Sequence, residues 1–187
     1  MDGTEDRNIM GSIIKVNEYK DFNNNAIMTS DGAGVVTPNA TGIKNTPAFE
    51  AYLSNLQAAT DNTDTKVTFD SEVFDTDNAY DGAGKFTPQT AGKYCCYANV
   101  YGGNDGSSTL NYILLKFWKN GSQYQSSSVY KQDLRSNDGA NAMVTMVQTI
   151  DFNGSSDYLE VYCKISTGSN PDIGQNSAFG AFKLIGV

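Results

Sequence analysis

The chain has 187 residues and a net charge of −8, with a pI near 4.4, which gives room for one well-buried domain and a small extension. Its Lys and Arg form no cluster, so it lacks the basic patch that displaces counterions from nucleic acid, and its charge opposes an anionic membrane surface. No run approaches the roughly eighteen apolar residues of a transmembrane helix.

Composition points to sheet. Eleven Tyr and nine Phe against one Trp suit a pleated, half-buried surface, and abundant Gly, Asn, Ser and Thr favour turns. The absence of His rules out a Ser-His-Asp or Cys-His nucleophile and any His-ligated metal. The three Cys lack the spacing of a zinc site. Cys95 and Cys96 are adjacent in one strand and point to opposite faces, a poor geometry for bridging each other. Cys163 could reach one of them, but buried free thiols are the expectation.

In chain order, residues 1–46 read as an extension with little regular structure. Ser12 to Val16 and Ala26 to Thr29 are short β-branched or apolar runs, set among the polar and Gly-containing stretches 23–25, 31–34 and 38–42. There is too little apolar surface to close a core. The first residues lack the basic and apolar regions of a secretory signal. Gly does not recur at every third position, so no collagen stalk is expected.

From Pro47 to Val187 strand and turn signals recur at the spacing of an all-β sandwich. Ala48 to Leu53 reads as the first strand, with Phe49 and Leu53 on one face and Tyr52 on the other. Thr65 to Phe69, Val73-Phe74 and Lys85 to Thr87 follow. Tyr94 to Tyr101 puts Tyr94, Cys96, Ala98 and Val100 on one face and Cys95, Tyr97, Asn99 and Tyr101 on the other. Leu110 to Lys119 leads through the hairpin signal Asn120-Gly121 to a partner strand from Gln123 to Tyr130. Met143 to Phe152, Tyr158 to Ile165 and Ala178 to Val187 complete the set. Helix is expected to be scarce. The strands Tyr94 to Tyr101 and Tyr112 to Phe117 are apolar on both faces, which leaves one face to be covered by a loop, by the amino-terminal segment or by a neighbouring subunit.

The acidic run from Asp70 to Asp81 is the only candidate cation site, with Asp75, Asp77 and Asp81 as its best ligands. As an EF-hand loop it fails, because Ala79 and Pro88 occupy positions where ligands are required. A solvated loop is expected, with no cofactor; calcium is the one ion the acids would suit. Paired carboxylates for glycoside hydrolysis are a matter of the fold, and nothing recommends any pair.

Several motifs occur together in one order: Tyr80-Asp81 before Gly84-Lys85-Phe86, Gly92 before Tyr94, the hairpin Lys119-Asn120-Gly121, Asp157 before the penultimate strand, and Phe179 with Phe182 in the last. Over residues 47–187 this pattern resembles the globular head of complement C1q and its tumour-necrosis-factor-like relatives. Cys96 replaces an expected Phe, and Ala181 an expected Gly. The resemblance implies a jelly-roll sandwich of about ten strands that assembles as a homotrimer and is not an enzyme. It implies a trimer interface that would draw on Cys95, Tyr97, Tyr101 and Phe179.

The join of a short amino-terminal arm to such a head also resembles virion proteins of bacteriophages. That implies a structural protein built into the particle, with residues 1–46 as the attachment arm to other virion proteins through Ile13, Ile14, Val16 and Ile27. The expected role is a short tail fibre or spike head binding a host-surface glycan or protein receptor. The alternatives are a capsid decoration protein clamping the shell and a polysaccharide-degrading head.

Overall fold

The computed structural model describes residues 18–39, 43–104, 110–125, 129–133 and 141–186. They contain no α-helix, and the chain divides into two compact units, Met1–Lys44 and Asn45–Val187.

The first unit holds a three-stranded antiparallel meander, β1 (Glu18–Lys20), β2 (Ala26–Ser30) and β3 (Val36–Pro38), in the order β1-β2-β3. This corrects the expectation of little regular structure for residues 1–46. Two side-chain-capped turns make the difference: Asp21 accepts from the N–H groups of Asn23 and Asn25, and Asp31 from those of Ala33 and Val35. The shortage of apolar residues is nevertheless real, because no described residue from 18 to 39 is buried and Phe22 is wholly exposed. The run from Ser12 to Val16, with Ile13, Ile14 and Val16, lies outside the described residues.

The second unit is a sandwich of two antiparallel sheets. Its strands are β4 (Ala48–Tyr52), β5 (Gln57–Ala58), β6 (Thr65–Lys66), β7 (Ser71–Asp75), β8 (Lys85–Phe86), β9 (Gly92–Gly103), β10 (Tyr112–Lys119), β11 (Ser122–Gln123), β12 (Val129–Asp133), β13 (Asn141–Phe152), β14 (Leu159–Ser166), β15 (Asp172–Ile173) and β16 (Ala178–Lys183). The larger sheet runs β13-β9-β16-β4-β7, with β15 and β5 continuing beside the end of β9. The smaller sheet centres on β10 and β14, with β11 and β12 on β10 and β6 and β8 on β14. The single partner strand read from Gln123 to Tyr130 is in fact two, β11 and β12.

Period-two alternation drives the two sheets together. Along β9, Tyr94, Cys96, Ala98 and Val100 are buried, and the residues between them are only partly covered. On β13 the inward set is Val144, Met146, Ile150 and Phe152. From the opposite sheet Ile113, Leu115, Phe117, Leu159, Val161 and Ile165 meet them, all fully buried. Phe49 anchors one end of this core, stacked between Tyr80 and Phe86 at centroid distances of 4.8 and 4.5 Å, pairs that add to simple area burial. The Tyr80 hydroxyl is satisfied by donating to the Phe69 carbonyl at 2.5 Å. Cys96 and Cys163 lie inside as free thiols, while Cys95 is half-buried.

Candidate functional site

The same alternation that fills the core sends a second set of side chains outward from the larger sheet. Antiparallel register puts directly paired residues on one face. One row therefore runs across five strands: Val147 on β13, Tyr97 on β9, Gly180 on β16, Glu50 on β4 and Phe74 on β7. Flanking it are Cys95 with Phe182 on one side and Asn99 with Thr145 and Ala178 on the other, and Met143 with Tyr101 lie beyond the latter. Val147 is 63% exposed, Met143 52% and Phe74 44%, and Tyr52, Tyr101 and Phe182 each exceed a third. Apolar side chains exposed in this number on one face are what a monomeric surface avoids.

Its centre has a defined geometry. The Tyr97 ring reaches across β16 over Gly180, and its hydroxyl donates to Glu50 Oε2 at 2.5 Å. That path exists because residue 180 has no side chain: a Cβ there would stand 2.3 Å from Tyr97 Cζ and Oη. Burial of the ring and the neighbouring Glu50 carboxylate both push the Tyr97 phenol above its usual range. Tyr97 is therefore a neutral donor at physiological pH, and the row is apolar with one hydrogen-bonded carboxylate at its middle. At one end of β9, Lys93 pairs with Asp151 at 3.6 Å. At the other end, two adjoining hollows of about 200 and 330 Å³ share Leu56, Tyr101 and Gly174, and the amides of Asn104, Asn141, Gln175 and Asn176 add to their rims.

Three of the four residues predicted for an interface, Cys95, Tyr97 and Tyr101, share this outward face. Phe179 does not, and its assignment is corrected. It is fully buried, edge-on to Phe49 at 4.9 Å and tilted against Phe69 at 5.7 Å. Alternation along β16 turns Phe179 and Ala181 into the core and leaves Phe182 outside. Sequence reasoning missed Phe182, Phe74, Glu50 and the β13 residues. The spacing Met143-Thr145-Val147, opposite the core positions Val144 and Met146, carried a readable signal for the last of these.

The acidic candidates are occupied by their own turns. Asp75 accepts from the N–H groups of Asp77 at 3.2 Å and Tyr80 at 2.7 Å, Asp77 accepts from the Thr76 hydroxyl, and Asp81 accepts from Ala83 at 2.8 Å and Lys85 at 2.9 Å. Among the described residues no three Asp, Glu or Cys side chains converge as metal ligands. Ile27, named for particle attachment, sits half-buried on β2.

No protein-family profile and no curated protein matches the sequence. Solved structures do match. Murine APRIL superposes with a TM-score of 0.51 at 11% identity, covering 73% of this chain and 99% of that one. The vertex protein P5 of PRD1 gives 0.51 at 16%, covering 75% and 98%. The globular domain of a zebrafish complement 1qA protein gives 0.49 at 15%, covering 74% and 96%. The second unit has the jelly-roll fold of the C1q and tumour-necrosis-factor type. At these identities the likeness is one of fold.

Proposed function

We propose that the protein is a non-enzymatic structural component of a phage particle, a homotrimer held by the outward face of its larger sheet and anchored through its amino-terminal unit. The row Val147, Tyr97, Gly180, Glu50 and Phe74 carries this reading. It is apolar, spans five strands and, among the described residues, has no cation paired with its single carboxylate, which suits a second copy of the same surface better than a charged partner. The fold supports it, because jelly rolls of this type assemble as trimers, and the likeness to a vertex protein supports a place on a particle.

Within that reading the head is a short tail fibre or spike, and the hollows beside Tyr101, towards the end of β9 and away from the central row, face a host-surface glycan or protein receptor. Amide groups around an aromatic ring suit the hydroxyls and ring faces of a sugar. The vertex-protein likeness favours a second reading as well, a decoration protein seated on the shell.

Residues 45–187 contain every buried core residue among those described, so a head starting at Asn45 should fold alone. Light scattering on that head at micromolar concentration should report three chains. A stable monomer would remove the trimer. Headed particles should also lose this protein when the full chain is replaced by the truncated one; normal loading of the truncated trimer would remove the anchoring role of the first unit.

A further inference from the structure

One sequence is written twice. Residues 31–42 and 81–92 share the pattern Asp-Gly-Ala-Gly-x-x-Thr-Pro-x-x-x-Gly, and where both copies are described they take the same shape. Asp31 Oδ1 accepts from the N–H groups of Ala33 (2.7 Å) and Val35 (3.1 Å), as Asp81 Oδ1 does from those of Ala83 (2.8 Å) and Lys85 (2.9 Å). The Asp31 N–H donates to the Val35 carbonyl at 3.2 Å, and the Asp81 N–H to the Lys85 carbonyl at 3.0 Å. The paired glycines have positive φ in both, 78° and 97° for Gly32 and Gly34, 69° and 94° for Gly82 and Gly84, a conformation glycine adopts without strain. Register agrees too: Ser30 stands opposite Val36 as Tyr80 stands opposite Phe86.

The copies differ in what lies along the far edge of the hairpin. In the head, the Lys85 carbonyl and Thr87 N–H point back to the hairpin's first arm, so alternation turns the Phe86 N–H and C=O outward to β14, where Phe86 pairs with Leu159 and Lys85 with Glu160. Phe86 is fully buried there. In the first unit the Val35 carbonyl and Asn39 N–H likewise point back to β2, which turns the Val36 N–H and C=O to the opposite edge. Among the described residues β3 pairs with β2 alone, and Val35 and Val36 are 60% and 55% exposed. A proline follows at the same place in both copies, Pro38 and Pro88, so the ladder on that edge is short in each.

We propose that the β3 edge is a strand-docking site, and that it takes one antiparallel strand of the anchoring protein in the register β14 uses on β8, with Val36 buried as Phe86 is. Val35 stands where the head has Lys85, so the docked strand carries an apolar residue where β14 has Glu160. A second copy of this chain does not fit. Antiparallel pairing of β3 with its own copy needs a two-fold axis, and a three-fold assembly has none. The addition of a strand to an exposed edge draws its affinity from main-chain hydrogen bonds and its selectivity from such side-chain positions. This inference rests on the amino-terminal unit being the anchor.

The test uses the full-length protein and particles produced without it. Amide exchange at Val36 should be fast in the free protein and slowed at least tenfold once the protein is on the particle, while the head amides stay unchanged. Val36→Pro removes the one N–H aimed at the open edge and no bond to β2, and should lower loading at least tenfold; Val36→Lys should do the same through its charge, and Val36→Leu should load normally. If Val36 exchanges as fast on the particle as off it, the docking site is refuted, whatever the variants do. If Val36→Pro and Val36→Lys load normally while the truncated head does not, the anchor stands and the edge is wrong. If the truncated head loads normally, both fall.

Discussion

The two outward faces of the sandwich start from similar strands and finish differently. On the smaller sheet, Trp118 stacks on Tyr162 with centroids 4.1 Å apart, Lys66 pairs with Glu160 at 2.8 Å, Lys116 with Asp64 at 2.5 Å, and the Tyr112 hydroxyl donates to Asn62. These side chains find partners within the chain, although the buried Trp118 Nε1 has no hydrogen-bond acceptor among the described residues. On the larger sheet the corresponding positions hold Val147, Met143, Phe74, Phe182 and Tyr101, and among the described residues the polar pairs are few: Tyr97 with Glu50 at the centre, Asn99 with the Asn176 carbonyl, and Lys93 with Asp151 at one end. Both faces are rich in aromatic residues. What separates them is whether polar groups interleave with the rings and pair across the face, or leave its apolar side chains exposed.

The largest expected effect breaks the difference directly. Tyr97→Asp places a second carboxylate beside Glu50 at the centre of the proposed interface, and association would have to desolvate both without a cation. Trimer dissociation should rise more than a hundredfold by sedimentation equilibrium, with the monomer still folded by circular dichroism. Tyr162→Asp on the other face should lower the melting temperature and leave the trimer intact. Equal loss of association from both variants would mean that the faces do not differ in role.

Gly180→Ala sharpens the same comparison from the backbone side. The new Cβ meets the Tyr97 ring at 2.3 Å and the Phe49 carbonyl oxygen at 2.9 Å, so the ring must leave its path and the Glu50 hydrogen bond with it. A cost of about 1–3 kcal/mol is expected, read as a lower denaturant midpoint, together with weaker association. Tyr97→Phe keeps the ring in place and should cost only about 1 kcal/mol. If the alanine variant is no worse than the phenylalanine variant, the close approach over Gly180 is unimportant.

At the end of the smaller sheet a polar clamp serves stability instead. Asp157 pairs with Lys119 at 2.8 Å and accepts from Asn120 Nδ2 at 2.8 Å and the Asn153 N–H at 2.9 Å, tying two hairpin turns together. Hydrogen bonding by Lys119, then by Asn120, holds its carboxyl below the usual range. The sign follows: the stabilisation is complete above the ordinary carboxylate pKa of about 4 and is lost as pH falls through the depressed value. Asp157→Asn should therefore cost about 1–2 kcal/mol near pH 7, and the gap to wild type should close in acid. A gap that is constant down to pH 2 would assign the loss to shape alone. Association should be unaffected at pH 7, in contrast to the Tyr97 and Gly180 variants.

How much of this was legible in the sequence depends on which contacts decide it. The two faces of β9 could be read directly, because Tyr94 to Tyr101 alternates without interruption. Phe179 and Phe182, three apart, had to lie on opposite faces of β16, but nothing local says which one is inward. That is settled by register, with Phe182 opposite Cys95 and Phe179 opposite Ala98, a pairing between distant segments. Glu50 gave no signal at all, since its partner reaches it over a glycine on an intervening strand. The meander at 18–38 was missed because its order comes from the Asp21 and Asp31 turns, with no buried apolar residue to announce it.

The smallest effect concerns cations and thiols, where the comparison predicts almost nothing. Asp75, Asp77 and Asp81 direct their oxygens at the N–H groups and hydroxyl of their own loop, so calcium would have to displace turn-forming bonds before it gained ligands. Cys163 is buried and its thiol is pushed up to about 12, and burial raises Cys96 as well; both are poor nucleophiles for exchange. Chelator and reductant, added separately to the full chain, should each move the melting temperature by less than about 1 °C, which for a chain of this size corresponds to well under 1 kcal/mol. A fall of about 5 °C or more with chelator would show that acids of neighbouring subunits combine into a site that no single chain contains. A similar fall with reductant would point instead to Cys95, the one thiol on the apolar face, bridging between copies.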